Sequence, residues 1–199
     1  LMDMLPETGV NLVGVNGHGE TTIYKNWHLH CNRLIEKGVA LHITSNFCKP
    51  FSEHELETLS RFRSIEISCD THNRELFKTM RRGGDLDVLL ENISRLKAFL
   101  TSRERKKRRL PPTLSFSCVV SSANVLHLTE YVKFARSLGI RTFNFCSLKK
   151  YPLAPGSFQP LPVAEMADQL LEKAEASLLK VFDHLKSIDA VFTVQDGLL

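Results

Sequence analysis

Strand-length apolar runs alternate with helical patterns along the whole chain, and no other feature limits its fold so tightly. Strands are predicted over residues 11–16, 39–45, 64–69, 113–120, 140–147 and 189–194, and helices over 24–37, 52–61, 86–101, 126–138 and 163–186. That alternation calls for parallel strands joined by right-handed crossovers, an α/β fold. Helix ends carry matching signals. Ser52 with Glu55 three residues on is a capping-box pair, and Gly38 and Gly139 follow two predicted helix ends. Asp85 before LDVLLENISRLKAFL reads as a further N-cap, and the spacing Leu86, Leu89, Leu90, Ile93, Leu96 is helical.

Parallel strands buried on both faces read as continuous apolar runs. These strands alternate instead. LHITSN sets His42, Thr44 and Asn46 against Leu41 and Ile43; IEISCD sets Glu66, Ser68 and Asp70 against Ile65, Ile67 and Cys69; LSFSC sets Ser115 and Ser117 against Leu114, Phe116 and Cys118. If helices cover the apolar side, the other side must face something polar, because unpaired buried polar groups are costly. A partial (β/α) TIM-like barrel with a ligand-holding interior satisfies both sides.

The strand tips are polar as well. GHGE follows the first strand, SN the second, CD the third, SSAN the fourth and SLKKY the fifth. Ligands of parallel α/β folds sit at the carboxyl ends of strands, so one site over these tips is expected. GVNGHGETT (14–22) is the most distinctive of them: a strand delivers a carboxylate, Glu20, on a turn kept uncrowded by Gly17 and Gly19.

The 199 residues suffice for one full core, and no apolar stretch approaches the roughly 20 residues of a spanning helix. No membrane association is expected. Five cysteines, with gaps of 17, 21, 49 and 28 positions, form no CxxC pair and fit a reducing, cytoplasmic compartment. The net charge of +4 is local: SRERKKRR (102–109) carries six basic residues and one acidic, leaving the remainder near neutral. Nucleic acid is therefore a disfavoured partner, and that run reads as a solvated linker. Pro-rich YPLAPGSFQPLP (151–162) marks a boundary between a core domain, 1–150, and a C-terminal extension, 151–199, of helix plus strand.

The order GHGET, ITSN, ISCD, RRGGDLDVLLENI, FSCVVSSAN and LGIRTFNF resembles the radical S-adenosylmethionine (radical SAM) enzymes over about residues 8–150. The resemblance implies a partial barrel whose GGEP-type turn contacts the methionine amino group of SAM. It assigns that contact to Gly17, Gly19 and Glu20, with His18 and Thr21 departing from the family's usual Gly and Pro. It further assigns Asn46, Ser68 and Asp70 to the SAM ribose and carboxylate or to the substrate, Arg81 or Arg82 to the SAM carboxylate, and Ser117, Asn124 and Ser147 to the same mouth. No catalytic residue is assigned.

The family's CxxxCxxC, which holds three irons of a [4Fe-4S] cluster, is absent from this sequence. It belongs after the family's first strand, so the reading is of a barrel missing that strand, truncated upstream of Leu1. The resemblance implies an oxidoreductase: SAM is reductively cleaved to a 5′-deoxyadenosyl radical, which abstracts hydrogen from a small-molecule, peptide or protein substrate. An electron donor such as flavodoxin or ferredoxin is implied as partner. Without the cluster segment the chain by itself is expected to be inert.

Plainer readings stand beside these. Glu20 can cap the helix that follows it, and Ser68 and Asp70 can be strand-end turn formers. His28 and His30 of HLHC lie two apart in a predicted helix and diverge by about 200°, so they read as helix-surface residues rather than metal ligands. Cys48, Cys69, Cys118 and Cys146 read as small core hydrophobes. Two rival functions remain open: a cluster-free barrel binding protein, and a metal-dependent barrel hydrolase using His18 and Glu20.

Overall fold

The structure, a computed structural model, describes residues 9–17, 19–101, 110–149, 158–195 and 198. The linker run 102–109, most of the Pro-rich segment and His18 lie outside the described residues. Among those described, six parallel strands alternate with helices, the predicted α/β class. The chain divides into two compact units, Leu1–Ile67 with Leu86–Leu114, and Ser68–Asp85 with Ser115–Leu199.

In the first unit β1 (Leu12–Gly14) pairs with β2 (Ala40–Ser45), and β2 with β3 (Ser64–Ser68), setting Gly14 beside His42 and Ser45 beside Ile67. The helices are α1 (Trp27–Glu36), α2 (Glu53–Leu59) and α4 (Leu86–Thr101). Along β2 burial alternates as the sequence requires, with Leu41, Ile43 and Ser45 buried and His42 and Thr44 half-exposed. The helices of this unit bury Leu34 and Ile35 of α1, Leu56 and Leu59 of α2, and Leu89, Ile93 and Leu96 of α4. The polar face is laced instead. His42 Nδ1 lies 2.9 Å from Ser64 Oγ, and Asn16 Nδ2 donates to Thr44 Oγ1 at 3.2 Å.

In the second unit β4 (Thr113–Val120) pairs with β5 (Thr142–Ser147), and β5 with β6 (Val191–Val194), placing Ser117 beside Asn144 and Asn144 beside Thr193. Its helices are α3 (Arg74–Met80), α5 (Leu128–Ser137) and α6 (Asp168–Ser187). Aromatic rings fill the covered face: Tyr131 contacts Phe116 and Phe143, and Phe145 leads through Phe182 to Phe192 with centroids 5.6–5.9 Å apart.

The capping box of Ser52 and Glu55 is formed, and Gly38 and Gly139 take the left-handed conformation after their helices, with φ of +85° and +71°. Two predicted helix starts move. Asn26 stands at φ +63°, which α-helical geometry cannot include, so α1 begins at Trp27 rather than 24. Val163–Glu165 forms a separate 3-10 turn, and α6 begins at Asp168. The short α3, capped by the Asn73 side chain, was not expected from the sequence.

Candidate functional site

The first unit builds a site around Glu20. Beyond β1 the chain turns through Gly17 and Gly19 and enters a single 3-10 turn, Thr21–Ile23, for which Glu20 is the N-cap. Glu20 Oε1 accepts from Thr22 N at 3.1 Å, from Thr22 Oγ1 at 2.8 Å and from Ser45 Oγ at 2.9 Å. Its Oε2 accepts from Asn46 N at 2.7 Å. A carboxylate has about four acceptor positions, two on each oxygen. Among the described residues Oε1 is therefore fully used, while Oε2 keeps one direction open.

The glycine ahead of it is not needed by the fold. Gly17 has no positive φ, and a Cβ built on it would meet nothing within 4 Å. The absence of a side chain there leaves room for something to approach the backbone. Gly19 is nearly as open, with only the Tyr24 hydroxyl 3.8 Å from such a Cβ.

Behind the turn lies a brace that sequence reasoning missed. Lys49 Nζ donates to the Thr22 carbonyl at 2.8 Å and pairs with Glu55 Oε1. Glu55 also accepts from Trp27 Nε1 at 2.8 Å and from Ser52 N at 2.9 Å. Burial alone would raise the Glu55 pKa; the hydrogen bonds from Lys49, Ser52 and Trp27 overcome it and bring the carboxyl from its ordinary 4.5 down to about 2. From α4, the buried Asn92 holds the loop that carries Lys49: Nδ2 donates to the Phe47 and Lys49 carbonyls at 2.9 and 2.7 Å, and Oδ1 accepts from Phe51 N at 3.2 Å. One signal for Asn92 was available, an amide three positions after Leu89 in an otherwise apolar helical stripe.

The second unit carries a separate polar knot. Asp70 is 4% exposed; Oδ1 accepts from Val119 N at 2.8 Å, and Oδ2 lies 2.7 Å from Arg81 Nε at the end of α3. Burial lowers and Asp70 raises the Arg81 pKa, and the net direction is up. Asn124 Nδ2 donates to the Asp70 and Val119 carbonyls at 2.8 and 2.9 Å, and its Oδ1 accepts from Ser121 N at 2.9 Å. Asp70 thus joins Arg81, through its carboxylate, and Asn124, through its backbone carbonyl, with the Asp70 and Asn124 side chains committed to the chain itself. Ser68 and Ser117 lie half-exposed on the polar face, Ser117 Oγ being 3.9 Å from Cys146 Sγ. Ser147 is half-exposed at the end of β5, and Arg82 takes φ +41° after α3.

His28 and His30 are in α1, and among the described residues no group of three His, Cys, Asp or Glu could hold a metal ion. No cysteine is in a disulfide; Cys31, Cys69 and Cys118 are buried, whereas Cys48 and Cys146 are half-exposed. No described helix is long and apolar enough to cross a membrane.

No family profile and no curated protein matches the sequence. Solved structures do. SuiB of Streptococcus suis bound to S-adenosylmethionine superposes with a TM-score of 0.67 at 17% identity, over 99% of this chain and 42% of SuiB. The enzyme anSMEcpe with bound AdoMet and Kp18Cys peptide gives 0.60 at 15% identity, over 91% of this chain and 49% of that one. A domain of pyruvate-formate lyase-activating enzyme from Bacteroides vulgatus gives 0.54 at 13% identity, over 92% of this chain and 98% of the domain. This chain therefore spans less than half of SuiB. What is shared at such identities is architecture: the chain has the partial-barrel α/β fold of the radical SAM enzymes.

Proposed function

We propose that this chain is the SAM- and substrate-facing part of a radical SAM oxidoreductase, with Gly17, Gly19 and Glu20 holding the methionine amino group of S-adenosylmethionine. The observation that carries the reading is the pairing of an open acceptor direction on Glu20 Oε2 with Gly17, a glycine that neither backbone geometry nor packing requires. An ammonium group fits such a place, donating to the carboxylate while backbone approaches it closely. Structural neighbours solved with SAM or AdoMet bound support the cofactor, and those solved with the precursor peptide SuiA or the Kp18Cys peptide support a peptide as substrate class.

Bound SAM supplies a sulfonium whose reductive cleavage gives a 5′-deoxyadenosyl radical for hydrogen abstraction. The residues of this chain bind and orient. Ser45 and Thr22 hold Glu20 Oε1 and so aim Oε2, and Asn46 N shares that oxygen with the ligand. In the second unit, Ser68 and Ser117 are the proposed substrate-facing hydroxyls, on a polar face kept in shape by Asp70, Arg81 and Asn124. Of those three, Arg81 has the side-chain exposure, 23%, to add a contact of its own. The described residues do not fit a [4Fe-4S] cluster, since no three ligating side chains converge among them. A reducing, cytoplasmic setting and a flavodoxin-like or ferredoxin-like electron donor follow from the same proposal.

Calorimetric titration of the full-length protein with SAM tests it. Gly17→Val should leave the melting temperature unchanged and weaken SAM at least about tenfold, a loss of roughly 1.4 kcal/mol. Unaltered SAM affinity in that variant, or no SAM binding by the parent, would overturn the assignment. Formation of 5′-deoxyadenosine under reducing conditions separates the enzyme from a cluster-free SAM-binding protein, which would bind and yield none.

A further inference from the structure

We propose that Lys49 is a positioning residue for the Glu20 carboxylate, acting through Thr22, and that Glu55 and Trp27 hold Lys49 in that task. The inference rests on the reading of Glu20 as the carboxylate that takes the ammonium of SAM.

A 3-10 turn of three residues has little stability of its own, because its few hydrogen bonds are poorly aligned. The Thr21–Ile23 turn nevertheless sets the aim of Glu20, since Thr22 contributes two of the three donors on Oε1. Thr22 is completely buried and is gripped from both sides: its N–H and hydroxyl face Glu20, and its carbonyl accepts from Lys49 Nζ at 2.8 Å. Lys49 itself has little freedom. Its carbonyl accepts from Asn92 Nδ2 at 2.7 Å, and its ammonium is shared with Glu55, whose side chain is 9% exposed. Trp27 Nε1 closes the far side of Glu55 at 2.8 Å. The chain Trp27–Glu55–Lys49–Thr22–Glu20 thus runs from the start of α1 to Oε1 of the Glu20 carboxylate, whose Oε2 is the candidate ligand oxygen, entirely within the first unit. A charged donor on the Thr22 carbonyl is stronger than a neutral one and fixes the peptide that follows Thr22.

Lys49→Met alone would strand a buried carboxylate, so the informative variant is the double substitution Lys49→Met with Glu55→Gln, compared with Lys49→Arg. SAM and 5′-methylthioadenosine, which lacks the amino-acid group, are titrated into each full-length protein. Loss of aim at Glu20 weakens SAM about tenfold in the double variant and leaves 5′-methylthioadenosine within twofold, with Lys49→Arg recovering most of the SAM affinity. Equal weakening of both ligands, or SAM affinity within twofold of the parent, overturns the positioning role. The Thr22 amide proton resonance, read without ligand, separates this idea from the one beneath it. If the parent binds no SAM but the double variant shifts that resonance, the SAM assignment falls and the brace stands. An unmoved resonance sinks the brace whatever SAM does.

Discussion

Asn92 Nδ2 donates to the carbonyl of Phe47 at 2.9 Å, and Phe47, fully buried, is held at φ +55°, a left-handed conformation that bulky side chains rarely adopt. Such a backbone costs on the order of 1–3 kcal/mol and persists only where its surroundings enforce it. Here they include the Phe47–Phe51 ring contact at 5.0 Å, the donation of Phe47 N to Ser45 Oγ at 3.1 Å and the three hydrogen bonds of Asn92. Asn92→Ala removes those bonds and leaves buried backbone groups unpaired. A loss of about 3 kcal/mol in urea unfolding is expected; a loss under about 1 kcal/mol would mean that the ring contact and the Ser45 hydroxyl enforce the turn without Asn92.

Glu55 has a folded pKa of about 2 against an ordinary 4.5. A depressed carboxyl stabilises the fold above its unfolded pKa, and the contribution fades as pH falls from 4.5 towards 2. By linkage it amounts to at most about 3 kcal/mol at neutral pH, reduced by whatever screening solvent provides. Unfolding free energies of the parent and of Glu55→Gln, measured from pH 7 down to pH 2, should differ most at neutral pH and converge at the acid end. A constant gap would show that Glu55 acts without its charge.

The Asp70–Arg81 pair admits a narrower test. Asp70→Asn keeps an oxygen for Val119 N but leaves Arg81 without its counter-charge. Removing one partner of a buried pair is costly, and with Arg81 partly exposed about 2 kcal/mol is expected in thermal or chemical unfolding. No change in stability would mean that the pair is replaced by water.

Thiol reactivity should follow burial. Burial pushes the Cys31 thiol up to about 11 and holds the Cys118 thiol well above its ordinary range, so neither offers thiolate near neutral pH. Brief treatment of the native protein with iodoacetamide, followed by peptide mapping, should find label on Cys48 and Cys146 and none on Cys31, Cys69 or Cys118. Early labelling of Cys118 would show that β4 opens.

The period-two alternation of LHITSN and LSFSC told in advance which strand faces are covered, because a strand buried on one side records its surroundings in every second residue. The cap of Ser52 and the C-terminal glycines were equally plain, being local chemistry. α3 escaped because its seven residues bury only Phe77, too little for a helical stripe. At the site, Glu20 stood out as an acid after two glycines. Lys49 did not, since it meets Thr22 across 27 positions and reads as any loop lysine. The left-handed Phe47 was invisible for a different reason: no residue type at that position advertises it. Asp70 and Asn124 were rightly placed at strand tips, yet that each would spend its side chain on backbone depends on contacts 49 and 54 positions away.

Glu20 caps its own turn with the same carboxylate proposed to hold a ligand, whereas a side chain at Gly17 would meet only open space and no left-handed backbone requires the glycine. The two residues would therefore age differently in a lineage that abandoned the chemistry. The acid would be retained because the turn needs it, and the glycine would drift freely to larger side chains. On the proposed reading of the site, the glycine rather than the acid is then the marker that tells a working site from a retired one.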